Sequence, residues 1–343
     1  MGLETKFIKV NKSPYENGVI TGNEMRSSIK EYAEKFKHLL EDKDIMKKLN
    51  NIIKKLEERF PIYLKEVYGR AKGAGIDERL YLLLMCAEIL GEGVGCTSIV
   101  YKRENGSFVI GHNEDDEYRG NPSYVTTYVK DNKDWFTTYD YFNMPFGNAF
   151  SYNNHGIVKT INYCHNEDVN LEGIPRYFIQ RHITEATSIE DFIKRCNMED
   201  RASGFHAIAL DINKNIAVSV ELTKDDISVK EVKNYYAHTN HYVHEKFKNK
   251  KIQDGSTTTF RLKKAYELLK DRIDKKGKNI EIEDFNDILD YRGKSYEDSI
   301  LALKDEPNFT CSRIVFDSTI KNKIFLKFFN LGESFYLDYD INK

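Results

Sequence analysis

The sequence predicts an α+β fold, in which a helical block precedes a sheet-forming region. Apolar residues recur at helical spacing through the first ninety or so positions, and no convincing strand pattern occurs there. The pattern changes at Gly91, after which short β-type runs alternate with a few helical stretches. A chain whose helices and strands are segregated in this way is typical of the α+β class.

Two helical stretches open the chain. Ile29, Tyr32 and Phe36 recur on one face of the first, and the second runs from about 44 to 68. Pro61 lies inside the second stretch, where the missing amide N–H and the ring clash with a continuous helix. We therefore expect the second helix to stop or restart at this proline.

A third helix is expected over 78–90, the most apolar segment of the chain. Gly75 breaks the preceding helix, and Asp77 is a suitable N-cap for the next one. The segment is too short to cross a bilayer, which needs about 18 apolar residues, so a buried helix is predicted.

The region after Gly91 is predicted to form many strands and three further helices. A hairpin turn is expected at 104–106, Glu-Asn-Gly, between the first two strands. The predicted strands are 97–102, 107–112, 124–130, 135–141, 156–163, 205–211, 216–222, 310–316 and 323–329, and the predicted helices are 176–195, 258–271 and 282–290.

Composition excludes several classes of protein. The 52 Lys and Arg nearly balance the 54 Asp and Glu, so the net charge of −2 offers no electrostatic support for nucleic-acid binding. The N-terminus lacks the apolar segment of a secretory signal, and the five cysteines do not form a disulfide framework. We expect a cytoplasmic protein that binds neither nucleic acid nor membrane, with homo-oligomerisation left open.

Cys96 is the first candidate for chemistry. It follows the glycine-rich loop Gly-Glu-Gly-Val-Gly at the start of a predicted strand. Its thiol could attack the Gly95 carbonyl and cleave the chain, which would free an α-amine with a pKa near 7.7–8.0 to act as a base beside the thiol. The alternative is a small buried residue at a strand start, which is the usual role of a free cysteine.

A second candidate group lies at the end of the next strand, which the hairpin returns to the Cys96 strand. Asp115 could hold the new α-amine, and His112 could add a hydrogen-bond donor near the thiol. The alternatives are a solvated acidic loop and a calcium site, although the run lacks the full Asp-x-Asp-x-Asp-Gly calcium pattern.

A third group is His238-Thr239-Asn240-His241, followed by His244. One interpretation is a metal-dependent hydrolase that uses His112, Asp115, His238 and His241 as ligands. Another treats these histidines as ordinary polar groups of a loop. A third makes Asn240 a side-chain donor to a developing oxyanion.

These motifs together resemble the acyl-coenzyme A:6-aminopenicillanic acid acyltransferase family, whose members are N-terminal-nucleophile enzymes related to choloylglycine hydrolases and penicillin V acylases. The resemblance covers most of the chain, roughly from 15 to 329. The motifs that carry it, in order, are Tyr15–Gly18 with Gly22, Gly73–Ile76, Gly95–Ser98, Gly111–Asp115, Asn153–Gly156 with Asn162, and His238–His241.

The resemblance implies a four-layer αββα sandwich that cleaves itself before the nucleophile. Residues 1–95 would form a helical pro-segment that becomes the α-chain, and residues 96–343 the catalytic β-chain, together one folded unit. It matches Cys96 to the nucleophile, Asp115 to the amine-binding carboxylate and Asn240 to the oxyanion donor, with Asn162 as a second amide. His112 stands where choloylglycine hydrolases usually have arginine.

The resemblance leaves the active-site arginine open between Arg261 and Arg313, with Arg261 preferred because it follows the run Ser256–Thr259. It implies an amidohydrolase or acyltransferase on the amide of an N-acyl small molecule, through a Cys96 thioester. No metal or organic cofactor is expected, apart from acyl-CoA as an acyl donor. An unprocessed relative that only binds a ligand is the remaining alternative.

An aromatic run after the acidic loop offers a candidate acyl pocket, although such a stripe also forms ordinary sheet packing. The candidate pocket residues are Tyr128, Trp135, Tyr139, Phe142 and Phe146.

Overall fold

The computed structural model describes residues 6–91, 93, 95–116, 123–130, 133–277, 279–320, 323–329 and 333–338. Two large sheets are flanked by helices, which confirms the α+β prediction. The helices are α1 (Pro14–Glu24), α2 (Arg26–Phe36), α3 (Lys43–Arg59), α4 (Pro61–Ala74), α5 (Glu78–Leu84), α6 (Ala87–Leu90), α7 (Arg176–Thr184), α8 (Ile189–Cys196), α9 (Thr258–Lys276) and α10 (Ile282–Leu289).

The fourteen strands found in the described ranges form two sheets. They are β1 (Lys6–Val10), β2 (Cys96–Lys102), β3 (Phe108–Asp116), β4 (Tyr124–Lys130), β5 (Asp134–Asp140), β6 (Ser151–Asn153), β7 (Ile157–Tyr163), β8 (Phe205–Asp211), β9 (Ile216–Leu222), β10 (Ile227–Glu231), β11 (Tyr235–His238), β12 (Phe309–Asp317), β13 (Lys323–Phe328) and β14 (Glu333–Asp338).

The helix boundaries follow the signals in the sequence. Helix α3 ends before Pro61, which is the first residue of α4, and α4 ends at Gly75 with a left-handed φ of 72°. The side chain of Asp77 caps α5 by accepting two backbone N–H groups. These predicted boundaries are confirmed.

Three predictions of secondary structure were wrong in detail. The expected helix over 78–90 is divided into α5 and α6, because Cys86 has a non-helical backbone with ψ of 68°. The expected helix over 176–195 is likewise divided into α7 and α8. The N-terminal region also contains the strand β1, which pairs with β4. Its five residues include two lysines and show no clear strand pattern.

The larger sheet has the strand order β1-β4-β5-β6-β7-β8-β9-β10, and the smaller has β11-β2-β3-β12-β13-β14. Alternating side chains of both sheets share one apolar core, as Val100 and Ile314 do with Val158 and Ile208. The other face of the smaller sheet packs on α9 and α10, and that of the larger sheet packs on α2–α5, α7 and α8. Helices therefore cover both outer faces of two stacked sheets.

Helices α1 and α4 cross in backbone contact through paired glycines. A Cβ atom added to Gly18 would lie 2.1 Å from the Glu66 carbonyl oxygen, and one added to Gly69 would lie 2.0 Å from that of Tyr15. Gly22 makes an equally close approach to Arg70. The two helices can reach this separation only because these positions lack side chains.

The Gly69→Ala variant is expected to be destabilised by about 1–3 kcal/mol, because its methyl group would force the α1–α4 backbones apart. A lower midpoint of thermal unfolding, followed by circular dichroism, tests this. Lys47→Ala, an exposed change on α3, is the control and should leave the midpoint nearly unchanged. Equal midpoints for the two variants would contradict the close crossing.

Arg70 joins the helical block to the larger sheet. Its guanidinium is buried, lies 2.9 Å from the Asp140 carboxylate and donates to the carbonyl oxygens of Tyr141 and Met144. A buried guanidinium is tolerated only when its donors are satisfied. The contacts of Arg70 therefore fix the end of β5 against α4.

Among the described residues, no helix has both the length and the apolar character needed to cross a membrane.

Candidate active site

The Gly95–Cys96 peptide unit is held by hydrogen bonds on both sides. The Gly95 carbonyl oxygen accepts from the Asp115 backbone N–H at 3.0 Å. The Cys96 N–H donates to Asn240 Oδ1 at 2.9 Å. Cys96 is buried at the start of β2, opposite Glu114 of β3. The thiol-bearing residue and the carbonyl before it are therefore fixed by groups from β3 and from the loop after β11.

Arg261, in the first turn of α9, links the elements around Cys96. Its Nη1 donates to the Cys96 carbonyl oxygen at 2.6 Å and to Thr97 Oγ1 at 2.8 Å. Its Nη2 donates to Asn240 Oδ1 at 2.6 Å, and its Nε to Thr257 Oγ1 at 2.9 Å. Arg261 thus places a positive charge beside both Cys96 and Asn240.

Asp115 lies next to the Gly95–Cys96 backbone. One carboxyl oxygen accepts from Thr310 Oγ1 at 2.7 Å, and the other lies 3.0 Å from the position that a Cβ atom would take on Gly95. Burial raises the pKa of Asp115, and the nearby Arg261 opposes that effect. An alanine at position 95 would therefore crowd this carboxyl group.

The Cys96 thiol is strongly disfavoured as a thiolate in the intact chain. Burial raises its pKa well above the ordinary value, and the carboxylates of Glu114 and Asp115 add to the effect. The Asp115 N–H and Arg261 oppose it. At neutral pH this thiol is protonated.

A second set of polar groups lies between the sheets, next to Cys96. Ser98 Oγ is 2.8 Å from His112 Nδ1 and donates to Asn162 Oδ1 at 2.8 Å. His112 Nε2 is 2.7 Å from Glu114 Oε2, and the Tyr141 hydroxyl donates to Glu114 Oε1 at 3.0 Å. These contacts form a continuous path from Asn162 to Glu114.

Asn162 Nδ2 is buried and has no hydrogen-bond partner among the described residues. A buried amide donor without a partner costs about 1–3 kcal/mol, and such a group is rare in native structures. The position is therefore suited to receive an acceptor from a ligand or a water molecule.

A cavity of about 520 Å³, here called the site cavity, adjoins this arrangement. Its walls include Gly93, Asp116 and Tyr141, together with Tyr163, whose carbonyl oxygen accepts from Asn240 Nδ2 at 3.0 Å. The segment from Ala87 to Leu90 supplies another wall. Residues just before Cys96 therefore enclose part of the cavity.

A family model described as acyl-coenzyme A:6-aminopenicillanic acid acyl-transferase matches residues 101–321. The chain belongs to this family. The match confirms the resemblance found in the motifs, although it begins five residues after Cys96. The beta-alanyl-dopamine/carcinine hydrolase of Drosophila melanogaster is 26% identical over an alignment of 164 residues, which covers 41% of this chain. The match spans 42% of the length of that relative.

Four predicted site residues of this acyltransferase-family chain meet at one point. Cys96, Asp115, Asn240 and Arg261 are linked through the hydrogen bonds around the Gly95–Cys96 peptide. Asn162 and His112 belong to the adjoining polar path. Two residues of the glycine loop, 92 and 94, lie outside the described residues.

Arg313 lies away from this point. Its guanidinium donates to Asn113 Oδ1, Asn286 and Asp290, on the side of the smaller sheet that faces α10. Of the two arginines left open by the sequence, only Arg261 contacts the Cys96 backbone.

The metal set formed by His112, Asp115, His238 and His241 is not brought together. His238 Nε2 bonds to Glu221 and His241 Nδ1 to Thr258. In the described part of the chain, the possible ligand atoms of Cys96, His112 and Glu114 instead lie within 4.8 Å of one another. In the strand register His238 is opposite Ser98 and Ser98 is opposite His112, so one strand separates the two imidazoles. The alternation of β3 also puts Asp115 on the face opposite to that of His112.

The five aromatic residues proposed as a pocket do not line the site cavity. They pack in other parts of the fold: Tyr128, Phe142 and Phe146 in the core beneath the helices, Tyr139 between the sheets, and Trp135 against Tyr152.

Glu114, Ser98 and Thr310 were not predicted as site residues from the sequence, whereas Tyr141, which belongs to the aromatic run, lines the site cavity. The alternation of a strand already places Glu114 on the same face as His112, so period two could have indicated it. The contact between Thr310 and Asp115 joins positions 195 residues apart and has no local signal.

Proposed function

We propose that this chain is a self-processing cysteine N-terminal-nucleophile enzyme that hydrolyses or transfers the acyl group of a small N-acyl amide. The observation that carries the proposal is the Gly95–Cys96 peptide, whose carbonyl oxygen and N–H are both held beside a buried thiol. Family membership and the hydrolase name of the fly relative support the amide-directed chemistry.

Self-processing would begin with attack of Cys96 Sγ on the Gly95 carbonyl carbon. The Asp115 N–H donates to the oxygen on which negative charge develops. The C–N bond breaks as the C–S bond forms, and the thiol proton ends on the departing nitrogen. Water then hydrolyses the thioester, leaving a carboxylate on Gly95 and a free thiol and amine on Cys96.

The processed enzyme would use the α-amine of Cys96 as its base. An α-amine has a pKa near 7.7–8.0 and can take the thiol proton at neutral pH. The Asp115 carboxyl group, beside the backbone at this point, would hold the amine. The sulfur would attack the substrate carbonyl carbon, and the C–N bond would break as the C–S bond forms, with the proton passing from the α-ammonium to the departing amine. Water, an amine or a CoA thiol would then take the acyl group from the Cys96 thioester.

Two side-chain amides are proposed to stabilise the oxyanion during turnover. Asn240 accepts from the Cys96 N–H through Oδ1 and donates from Nδ2 to the Tyr163 carbonyl oxygen, and these two bonds fix its amide beside Cys96. Asn162 Nδ2 is a buried donor without a partner among the described residues. Donors fixed in advance stabilise a developing oxyanion because no reorganisation is needed during the reaction.

The proposal includes the four-layer sandwich of this enzyme class and a pro-segment over residues 1–95. Two contacts argue that the pro-segment stays bound after cleavage. Arg70 is buried against β5, and the Ala87–Leu90 segment forms a wall of the site cavity.

Intact-mass measurement of the purified protein tests the proposal. Scaling the mass of 40.1 kDa by chain length gives expected fragments of about 11 and about 29 kDa, the larger with Cys96 at its N-terminus. Incubation with β-alanyl-dopamine should release dopamine, and a rapid quench should trap an acyl group on Cys96. A chain that stays whole and hydrolyses no small amide would overturn the proposal.

The rate of self-processing is expected to rise with pH. Because burial, Glu114 and Asp115 raise the thiol pKa, the reactive thiolate fraction should grow about tenfold per pH unit through pH 8.5, the ordinary thiol pKa. The appearance of the smaller fragment between pH 6 and 9 measures this. A plateau below pH 8 would contradict a raised thiol pKa.

A further inference from the structure

Two residues of the site-cavity lining each carry a buried acceptor oxygen without a partner among the described residues. Glu88 Oε2 and Asn143 Oδ1 have no hydrogen-bond partner among the described residues, and both residues line the cavity. The side chain of Glu88 is 2% exposed, and Asn143 is 2% exposed. Buried acceptors left without donors are costly, above all on a carboxyl group, so these two positions require a donor from elsewhere.

The other oxygen of Glu88 is well satisfied, which fixes the direction of its carboxyl group. Glu88 Oε1 accepts from the Arg176 backbone N–H at 3.1 Å and from the Ser203 hydroxyl, and Arg176 Nη1 lies 3.6 Å away. The carboxyl group is thus anchored through Oε1, and Oε2 is the oxygen left for a ligand.

The cavity is large enough and close enough to serve the reaction. Its volume of about 520 Å³ is that of a small-molecule site. Two lining residues bond directly to residues of the candidate active site. The Tyr163 carbonyl oxygen accepts from Asn240, and the Tyr141 hydroxyl donates to Glu114. A ligand in this cavity would lie beside the Cys96 site.

The one positive side chain of the described cavity lining, Arg176, is less suited to hold an anion. Its guanidinium lies over the rings of Tyr163 and Tyr177, at 5.0 and 4.9 Å from their centroids, and next to Glu88. These contacts already compensate its charge. Glu88 pairs with this guanidinium through Oε1, so Glu88 Oε2 and Asn143 Oδ1 are the two oxygens that lack a donor. A primary ammonium offers three donors and a positive charge to them.

We infer that the site cavity binds a primary ammonium group of the substrate, through Glu88 Oε2 and Asn143 Oδ1. The inference rests on the proposed function, because it names the substrate class of the same site: an amide whose acyl or amine part carries an ammonium a few atoms from the reacting carbonyl. Glu88 and Asn143 are substrate-binding residues in this scheme, and the cleavage of the amide bond itself does not require them.

Binding of two isosteric amides tests the subsite without catalysis. β-Alaninamide carries an ammonium where butyramide carries a methyl group, and their affinities for the purified protein are compared by ligand-observed NMR. We expect a preference of roughly 10- to 100-fold for β-alaninamide, the range of a charge-assisted hydrogen bond. Glu88→Gln should remove most of that preference, and Glu88→Asp should retain part of it.

The control is Glu245→Gln, which removes the same charge from a side chain that is 83% exposed. It should leave the preference unchanged. Equal binding of the two amides, or a preference that survives Glu88→Gln, would overturn the inference and would indicate that water satisfies the two oxygens. Unfolding midpoints of all variants show whether a loss reflects misfolding, and Asn143→Ala gives an independent loss of preference if Glu88→Gln does not fold.

Turnover then shows which part of the substrate carries the charge. β-Alanyl anilide against butyryl anilide tests the acyl side, and N-butyryl-ethylenediamine against N-butyryl-propylamine tests the amine side. A higher kcat/KM for the charged member of either pair, lost in Glu88→Gln, supports the subsite. If both members of each pair are hydrolysed at equal rates, the subsite is overturned and the proposed function stands. If the chain stays uncut and hydrolyses none of the four amides, the proposed function is overturned, and the binding comparison alone decides the subsite.

Discussion

The Cys96→Ala variant is expected to remain a single chain of 40.1 kDa and to lose at least about 10⁴-fold in amide hydrolysis. Both effects have one cause, since the same sulfur would attack the Gly95 carbonyl during processing and the substrate carbonyl during turnover. The Gly95–Cys96 peptide is already held by Asp115 and Asn240, so the proposed nucleophile is the component that the variant removes.

The matched control is Cys196→Ala, which removes a buried thiol from α8 on the outer side of the larger sheet. It should process and hydrolyse as the unaltered protein does. Cys96→Ser keeps a weaker nucleophile and should process slowly. Cleavage of the Cys96→Ala chain at the same bond would assign the reaction to another group, and the proposed nucleophile would be wrong.

The sequence predicted the elements of the fold better than their arrangement. Pro61, Gly75 and Asp77 act through local backbone chemistry, so the breaks they make could be placed directly. The strand β1 could not be placed, because its pairing with β4 joins positions more than a hundred residues apart. Tertiary pairing, and not local propensity, makes that segment a strand.

In the candidate site, too, local contacts could be predicted from the sequence and contacts that depend on the tertiary fold could not. Asp115 lies near Cys96 through a hairpin whose turn is visible in the sequence, so their proximity could be predicted. The sequence left the active-site arginine open between Arg261 and Arg313, because the choice depends on which face of the smaller sheet each guanidinium reaches. The aromatic run has the composition of a pocket, but its buried side chains are divided between two apolar cores, and Trp135 is half-buried beside one of them.

The resemblance to the family rests on the order of the motifs, and it does not identify the functional residues that lie between the matched positions. Glu114 lies opposite Cys96 and bonds to His112 and Tyr141. Strand alternation indicates the face that it shares with His112, but not that Tyr141 reaches it from elsewhere in the fold. Glu88 and Asn143 are also ordinary in sequence. Only burial without a hydrogen-bond partner distinguishes them, and burial is a property of the folded chain.

Asn240→Asp is expected to separate processing from turnover. The aspartate keeps an oxygen that can accept from the Cys96 N–H and from Arg261, as Asn240 Oδ1 does now. It loses the amide donor proposed to stabilise the oxyanion and brings a negative charge there instead. Processing should therefore continue, but more slowly, because a further carboxylate beside Cys96 raises the pKa of its thiol. The kcat for amide hydrolysis should fall by about 10²–10³-fold, the usual cost of one oxyanion donor.

Asn240→Leu removes both functions and completes the comparison. It leaves the Cys96 N–H and one guanidinium donor of Arg261 without their acceptor, so processing should be lost together with turnover. Asn213→Asp, the same change at an exposed position, is the charge-matched control and should alter neither. Fragment formation by mass spectrometry and initial rates of hydrolysis measure the two functions separately. If Asn240→Asp turned over amides at the unaltered rate, Asn240 would position the Cys96 backbone without donating to the oxyanion, and Asn162 would be left as the side-chain donor.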